Sequence, residues 1–532
     1  MTSDCLAFSA LPHIPPLFAD YCANFAKVQP FFPHPPRLTE LTKRPEPEYD
    51  SQRRHLVSAI LESQNRSWGA SQQTLDNISR LRRSAQAMVT GQQVALFGGP
   101  LYAIYKALTA IKYAEQLTQA GVECVPVFWV ATEDHDFEEV SRATFYTSGS
   151  GLVQIGLEPA LEPNRPVSAI PLGSAITPLV EEATKLLGES ELAQLLRACY
   201  TPQETLGTAF AKLFTRIFSK YGLIVLDPSD PELHRIAAPI YQSAIAKEDR
   251  VIDLLLKRGR EIHAAGYEPQ VKVTNASTLL FYIREGERLA VRRSDGTFTA
   301  GSQKFTPDEL AKEIAAHPER FSANVLLRPV VQDYLLPTVA YIGGPAEIAY
   351  FAQANVVYQE LLGEVTPILP RFSATLVDAK SRRIMEHFGL TILDVFAGPE
   401  ALCERFAEQL LPRELNAALE HTRTLLEQNL AAIVSEIKKL DPTLVDAAER
   451  SVAKMQYQLD HLCKKAAHAQ LRRREEVGRK ADHLVNTIYP NKNLQEREIA
   501  AVSFLAQYGE QLLEQIREAI QPTCLGHHVL NI

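Results

Sequence analysis

The sequence predicts an α/β protein, a parallel-sheet core carrying inserted connecting segments, followed by a C-terminal α-helical region folded as an antiparallel coiled coil. Three observations carry this. Strand, glycine-bearing loop and helix succeed one another repeatedly as far as residue 372. Residues 267–299 instead alternate apolar with polar side chains. Beyond residue 373 the apolar positions fall alternately three and four apart, the spacing of a helical seam.

The 532 residues exceed what one hydrophobic core serves. A core domain over 1–372, with insertions at about 150–200 and 260–325, and a second domain over 373–532 are therefore expected. The first fifty residues are proline-rich (PHIPPLF, QPFFPHPPRL) and should wrap a surface. AMVT, from Ala87, then reads as a strand and GQQVALFGG as a loop. PLYAIYKALTAIKYAEQLTQA is a helix opened by Pro100 and closed before Gly121, with Leu101, Ile104, Leu108, Ile111 and Leu117 on one face. VECVPVFWVA is a buried strand whose Pro126, lacking an N–H, places its first residues at an edge or entry.

Such a βαβ crossover is parallel and right-handed. Loops 91–99 and 132–136 must then share the carboxyl edge of the sheet, where open α/β sheets bind ligands. The order recurs in LGTAFAKLFTRIFSKYGLIVLDPSD, with a stop at Gly222, and in VAYIGGPAEIAYFAQANVVYQELLGEVTPILPRFS, where Pro345 opens the helix. FGGPLYAIYK and IGGPAEIAYF echo each other, which is read as shared turn chemistry. Residues 267–299 form an antiparallel meander with an SDG turn. Leu426, Leu430, Ile433, Ile437 and Leu440 mark one helical arm, Asp441 and Pro442 a break, and Val452, Met455, Leu459, Leu462, Ala466 and Ala469 the returning arm; Val477, Ala481, Leu484 and Ile488 continue it. The longer second arm leaves a surface able to pair with another subunit.

Composition excludes several classes. Lys plus Arg total 55 against 63 Asp plus Glu, a net charge of −8, so no basic field favours nucleic acid or an anionic membrane. No run of eighteen apolar residues offers a membrane span, and the amino terminus does not read as a signal segment. Seven scattered cysteines, without a CxxC pair, read as reduced thiols in a cytoplasm and give no zinc site.

TEDHD, residues 132–136, has three readings. A metal is the minor one, because adjacent acidic residues on a turn cannot all face one point. His135, its tautomer fixed by Asp134 or Asp136, would be an acid/base centre. A solvated strand end with an aspartate cap is the third, and Glu138 and Glu139 read only as the solvated start of the next element. In TGQQVALFGGP, Thr90, Gln92 and Gln93 are candidates to read hydroxyls and carboxylates, while Gly98 and Gly99 precede a helix amino terminus and could cradle an anion. Tyr341, Gly343, Glu347 and Arg371 flank the same edge, with Arg371 able to hold a carboxylate. In YPNKNLQERE, Asn493 and Glu496 form a capping-box pattern, and Tyr489 and Lys492 are candidates for a phosphate.

TGQQVALFGGPLYAIYKAL, VPVFWVATEDHDFEEV, YIGGPAEIAYFAQ and YPNKNLQERE, in that order over nearly the full length, resemble the bacillithiol biosynthesis cysteine-adding enzyme family, BshC. The resemblance implies a Rossmann-like core with connecting insertions, a coiled coil that promotes homodimerisation, and a cytoplasmic ligase joining L-cysteine to glucosaminyl malate through an amide. Activating the cysteine carboxylate implies ATP, with Mg²⁺ as its counter-ion, and His135 would take the proton from the sugar amine. Two other readings stay open, a nucleotide-sugar or nucleotidyl-transfer enzyme on the same edge, and a non-enzymatic coiled-coil assembly protein.

Overall fold

The computed structural model describes residues 3–44, 48–147, 151–158, 164–409, 412–472 and 475–532. It divides into two compact units, Met1–Thr375 with Glu496–Leu530, and Leu376–Gln495 with Asn531–Ile532. Glu496–Leu530, which follows the helical region in sequence, thus packs with the first unit. Two elements draw it there, the helices Ala501–Tyr508 and Gln511–Ala519, whose apolar faces close over the core.

Five parallel strands form the central sheet: β1 (Gln86–Gln92), β2 (Cys124–Val130), β3 (Ile224–Leu226), β4 (Thr338–Gly343) and β5 (Ile368–Pro370). Their spatial order is β5-β4-β1-β2-β3. β1 pairs with β2 from Gln86↔Cys124 to Gln92↔Val130, whereas β2 meets β3 only from Val127 to Trp129. Pro126 thus sits just before that third pairing begins, where no ladder N–H is missed on that side. Because the chain steps from β1 to β2 on one side and reaches β4 on the other, the carboxyl ends of β1 and β4 splay apart at a topological switch point.

Helix α1 (Leu101–Gln119) follows β1 as expected, but it is buried nearly all round, through Ala103, Tyr105, Ala107, Ala110 and Tyr113 as well as the expected face. The reason is the returning carboxyl-terminal segment, which packs on the helix from the side away from the sheet. Helix α2 (Leu206–Ile217) leads to β3, and its Phe210 and Phe214 rings stack at 4.1 Å beneath Phe128 of β2. Truncating one such buried ring costs about 3–5 kcal/mol. Helix α3 (Pro345–Leu361) follows β4. The glycine echo does not extend to the backbone: Gly98 and Gly99 take φ of 87° and 71°, while Gly343 closes β4 and Gly344 has φ −85°.

Two insertions interrupt the core. The first holds a hairpin, Arg142–Thr147 with Gly151–Gly156, and the helices Ile176–Leu187 and Glu191–Cys199; residues 159–163 of that stretch lie outside the described residues. The second is a five-stranded antiparallel sheet in the order Gln303–Phe305, Thr297–Ala300, Glu287–Ser294, Ser277–Arg284, Phe321–Ala323. Its SDG turn carries Asp295 at φ 50° and Gly296 at φ 73°, the paired positive φ of a two-residue hairpin. The meander is wider than expected, gaining the strand at 321–323, and starts only at Ser277.

At the chain ends, Ser3–Leu6 pairs antiparallel with His527–Asn531, and Cys5 is disulfide-bonded to Cys524. This corrects the reading of seven reduced thiols: 519 residues separate the pair, so only the strand pairing reveals it. Cys22, Cys124, Cys199, Cys403 and Cys463 are free.

Ser373–Val377, running from the first unit into the second, is a strand rather than a helix. The hairpin arms are Arg413–Leu440 and Val445–Arg472, turned by Pro442–Leu444 with Asp441 accepting from the Thr443 amide at 2.8 Å. Glu475–Ile488 continues the second arm and buries Val477, Ala481, Leu484 and Ile488. Along the hairpin itself Leu430 is buried, but Ile433, Leu440, Met455, Tyr457 and Leu462 are exposed; the side chain of Ala469 lies outside the described residues. No described helix is long and apolar enough to cross a membrane.

Candidate active site

A cleft of about 790 Å³ opens at the switch point. Gly91, Gln92 and Gln93 from the end of β1, Glu133 to His135 from the end of β2, and Gly344 to Glu347 from the start of α3 form its floor. The inserted antiparallel sheet, through Ser277 to Phe281, Arg288 and Ala290 to Arg292, supplies a wall. Loops 91–99 and 132–136 do meet: Gln93 Nε2 donates to Asp134 Oδ2 and to Glu139 Oε2, both at 2.9 Å. That leaves Gln93 Oε1 buried without a donor among the described residues.

Lys106 is the side chain that sequence reasoning missed. On the otherwise apolar first turns of α1, its ammonium is 3% exposed, ion-paired to Glu347, and donates to the Gly91 carbonyl at 2.7 Å and Gln92 Oε1 at 2.8 Å. Burial, the largest influence, pushes Lys106 down to about 8 against the pull of Glu347. Burial alone would raise Glu347. Lys106, the Gly344 amide at 2.7 Å and the Tyr341 hydroxyl at 2.6 Å together hold it below the usual carboxylate range. The group locks α1, β1, β4 and α3 to one another and orients the Gln92 amide, whose Nε2 donates to Tyr102 at 3.1 Å. A lone lysine within LYAIYKALTAI was the available signal, since a charge amid buried helix positions requires a partner.

The acid/base expectation for His135 changes in its particulars. Its Nδ1 lies 3.0 Å from Arg288 Nη1, a group that can only donate, so Nδ1 accepts and the proton sits on Nε2. Asp134 Oδ1 is 3.6 Å from Nδ1 and accepts instead from the His135 amide at 2.7 Å. Burial and the Arg288 charge lower the histidine, which holds it neutral. As arranged, His135 is an Nε2–H donor oriented by Arg288, not a base oriented by an aspartate. Asp136 is exposed and caps Phe137–Val140 by accepting from the Glu139 amide at 3.2 Å.

Glu133, next to them, has the character expected of His135. Burial pushes its carboxyl up to about 8, opposed by Arg288 and reinforced by Asp227. His234 Nε2 lies 3.4 Å away but not in hydrogen-bonding geometry, and burial lowers that imidazole to about 4, so no counter-charge faces Glu133 there. Glu139, though exposed, also borders the cleft, where partial desolvation and then Asp136 and Asp134 raise its pKa, so its place at the start of the next element is not its whole role.

Other expected residues fall elsewhere. Thr90 is fully buried and bonds the Ile342 carbonyl at 2.9 Å, tying β1 to β4 beneath the cleft. Gly343 is sheet backbone, where a Cβ would meet Ile368 at 2.8 Å; its neighbour Gly344 lines the cleft. Arg371 borders the cleft, yet both its Nη groups bind Glu496, at 3.0 and 2.7 Å, which corrects both the carboxylate clamp and the capping box. Glu496 turns inward to that arginine, to Ser373 and to the Ala374 amide. Arg328, half-buried at the cleft, donates to two neutral groups, Gln332 Oε1 and Tyr350 OH, both at 3.0 Å. The glycine turn does not fit a phosphate: the Gly98 amide donates to the Tyr200 hydroxyl at 3.1 Å and the Gly99 amide to the Leu96 carbonyl at 3.2 Å. Tyr489 and Lys492 belong to the other compact unit, where Tyr489 packs on Phe396 and Lys492 pairs with Glu400 at 3.2 Å.

Fold and cleft together define a Rossmann-like α/β protein with a polar cleft at its sheet switch point, followed by a helical hairpin. The chain belongs to the BshC family: its residues 1–372 match the bacillithiol biosynthesis BshC N-terminal Rossmann-like domain, and residues 374–532 the BshC C-terminal coiled-coil domain. A relative from Koribacter versatilis is 44% identical with all of both chains covered, and one from Solibacter usitatus 37% identical over all of both. A third, from Salinibacter ruber, is 32% identical over 98% of this chain and 97% of its own. Each is named BshC, with cysteine ligase as the provisional activity in the name. A solved chain from Campylobacter jejuni, provisionally titled an arginyl tRNA synthetase, overlaps 87% of this chain and 98% of its own at 9% identity. Its TM-score of 0.23 carries no argument.

Proposed function

We propose that the protein is a cysteine ligase that joins the carboxyl group of L-cysteine to the amine of glucosaminyl malate through an amide bond, in the cytoplasm and as a homodimer. The observation that carries this reading is the pairing, in one cleft, of a basic excess with a carboxyl group that titrates near neutrality. Seven basic side chains (Lys106, Lys272, Arg288, Arg292, Arg328, Arg371, Arg497) line the cleft against four acidic ones (Glu133, Asp134, Glu139, Glu347). A sugar joined through the malate hydroxyl brings two free carboxylates, for which Arg328, whose hydrogen bonds go to Gln332 and Tyr350, is a candidate anchor.

In the proposed step the amine nitrogen attacks the activated cysteine carbonyl, forming the C–N bond as the activating group leaves with its electron pair. The nitrogen loses its proton to Glu133, whose raised pKa makes it an effective base near neutral pH. The Nε2–H of His135 is free to donate to the carbonyl oxygen as charge develops there. Activation by ATP, with Mg²⁺ as counter-ion, belongs to the proposal; its phosphates would use the basic lining, since the Gly98–Gly99 amides already have acceptors. The exposed Ile433, Leu440, Met455 and Leu462 support pairing of two hairpins.

The test is direct. Purified protein, L-cysteine, glucosaminyl malate and ATP are incubated and the amide product is sought by mass spectrometry, with ATP omitted in parallel. Product that requires ATP and that falls about 10²–10⁴-fold in Glu133→Gln is the expected result. An unaltered rate in that variant would remove Glu133 from the mechanism, and absence of product with every substrate present would refute the ligase.

A further inference from the structure

The strand register places Cys5 directly opposite His528, and Cys524 reaches the same point from the loop that precedes the strand. The two sulfurs and an imidazole nitrogen of His528 all lie within 4.8 Å of one another. Ligands bound to tetrahedral zinc at about 2.3 Å stand roughly 3.8 Å apart, so one ion can reach all three. The surrounding backbone is shaped to the sulfur: a Cβ on Gly526 would stand 2.6 Å from Cys5 Sγ and 2.5 Å from the Leu6 carbonyl oxygen, so only glycine fits. His528 is buried against the Phe372 ring, centroids 4.7 Å apart, which fixes the imidazole, while Cys5 is exposed. None of the three lines the cleft.

We propose that in the reduced protein Cys5, Cys524 and His528 bind one Zn²⁺, and that the disulfide is the metal-free, oxidised state of the same site. Two thiolates and an imidazole are a soft ligand set suited to zinc, leaving a fourth position for water on the exposed side. Hydrogen peroxide converts the zinc state to the disulfide: two zinc-bound thiolates, one peroxide and two protons yield the disulfide, free Zn²⁺ and two waters, and a thiol reductant reverses it, its own two thiols becoming a disulfide. The S–S bond forms as the O–O bond breaks; the sulfurs are oxidised and the peroxide is reduced. The site lies apart from the substrate cleft, so it is a redox-governed tie between the chain ends and not a reader of the cysteine substrate.

The experiment uses the full chain, purified anaerobically with a phosphine reductant, supplied with Zn²⁺, desalted, and analysed for metal by mass spectrometry. About one zinc per chain is expected, lost in Cys5→Ser and in Cys524→Ser, and released by peroxide with the loss of two hydrogens from the intact mass. Cys5 is exposed, so its serine variant keeps the test open if substitution at Cys524 disturbs folding. Reduced protein with free thiols and no zinc would overturn the proposal. So would zinc retained in both serine variants.

Discussion

Replacing Glu133 by glutamine should stabilise the protein in a pH-dependent manner while impairing catalysis. In the folded chain the carboxyl titrates near 8, against 4.5 for an unperturbed glutamate. A carboxyl raised on folding binds protons more tightly in the native state. Its favourable contribution is therefore complete below pH 4.5 and is lost progressively as pH rises to 8. The difference of roughly 3.5 units corresponds to at most about 5 kcal/mol, of which about 3 is expressed by pH 7. Glutamine keeps the shape without the charge and escapes that cost. Urea unfolding of both proteins at pH 5, 7 and 9 should show near-equal stability at pH 5 and a widening advantage for Glu133→Gln above it. An advantage that is constant with pH, or a variant less stable at pH 9, would show that Glu133 ionises in the ordinary carboxylate range and that its pKa is not raised by folding.

Lys106→Met should cost about 3–5 kcal/mol by leaving Glu347 charged and buried; Lys106→Met/Glu347→Gln should recover most of it in the same unfolding assay, and strict additivity would deny the pairing. Glu496→Ala strands Arg371 and should lose about 3–5 kcal/mol of core stability, whereas a change below 0.5 kcal/mol would mean the ion pair is solvated. Ile433→Glu/Leu462→Glu should convert a sedimenting dimer into a monomer with unchanged helical circular dichroism. A dimer that persists would move the interface off the hairpin.

The division of labour between sequence and tertiary structure can be traced residue by residue. Periodicity and turn chemistry sufficed for β1, α1 and β2, for the meander and for the hairpin break at Asp441, because these depend on neighbours within a few positions. The βαβ rule also brought Gln93 and Asp134 to one edge, and their hydrogen bond follows from it. What the rule could not supply was burial at a given atom. Glu133, Asp134 and His135 are consecutive, yet the chain packed around Glu133 desolvates it, while Arg288, 153 residues away, takes the histidine's Nδ1. Arg371 looked available because its partner, Glu496, is 125 residues distant, and Lys106 drew no reading because Glu347 meets it from another strand-helix unit.

Sequence by itself determined the element types, the shared carboxyl edge and the family. Only the tertiary structure decided which side chains face the cleft, which carboxyl group titrates near neutrality, and that Cys5 meets Cys524. Secondary structure is dictated by short-range periodicity and backbone sterics. Charge state and pairing depend on desolvation and on partners contributed by remote segments, and local sequence carries no record of either.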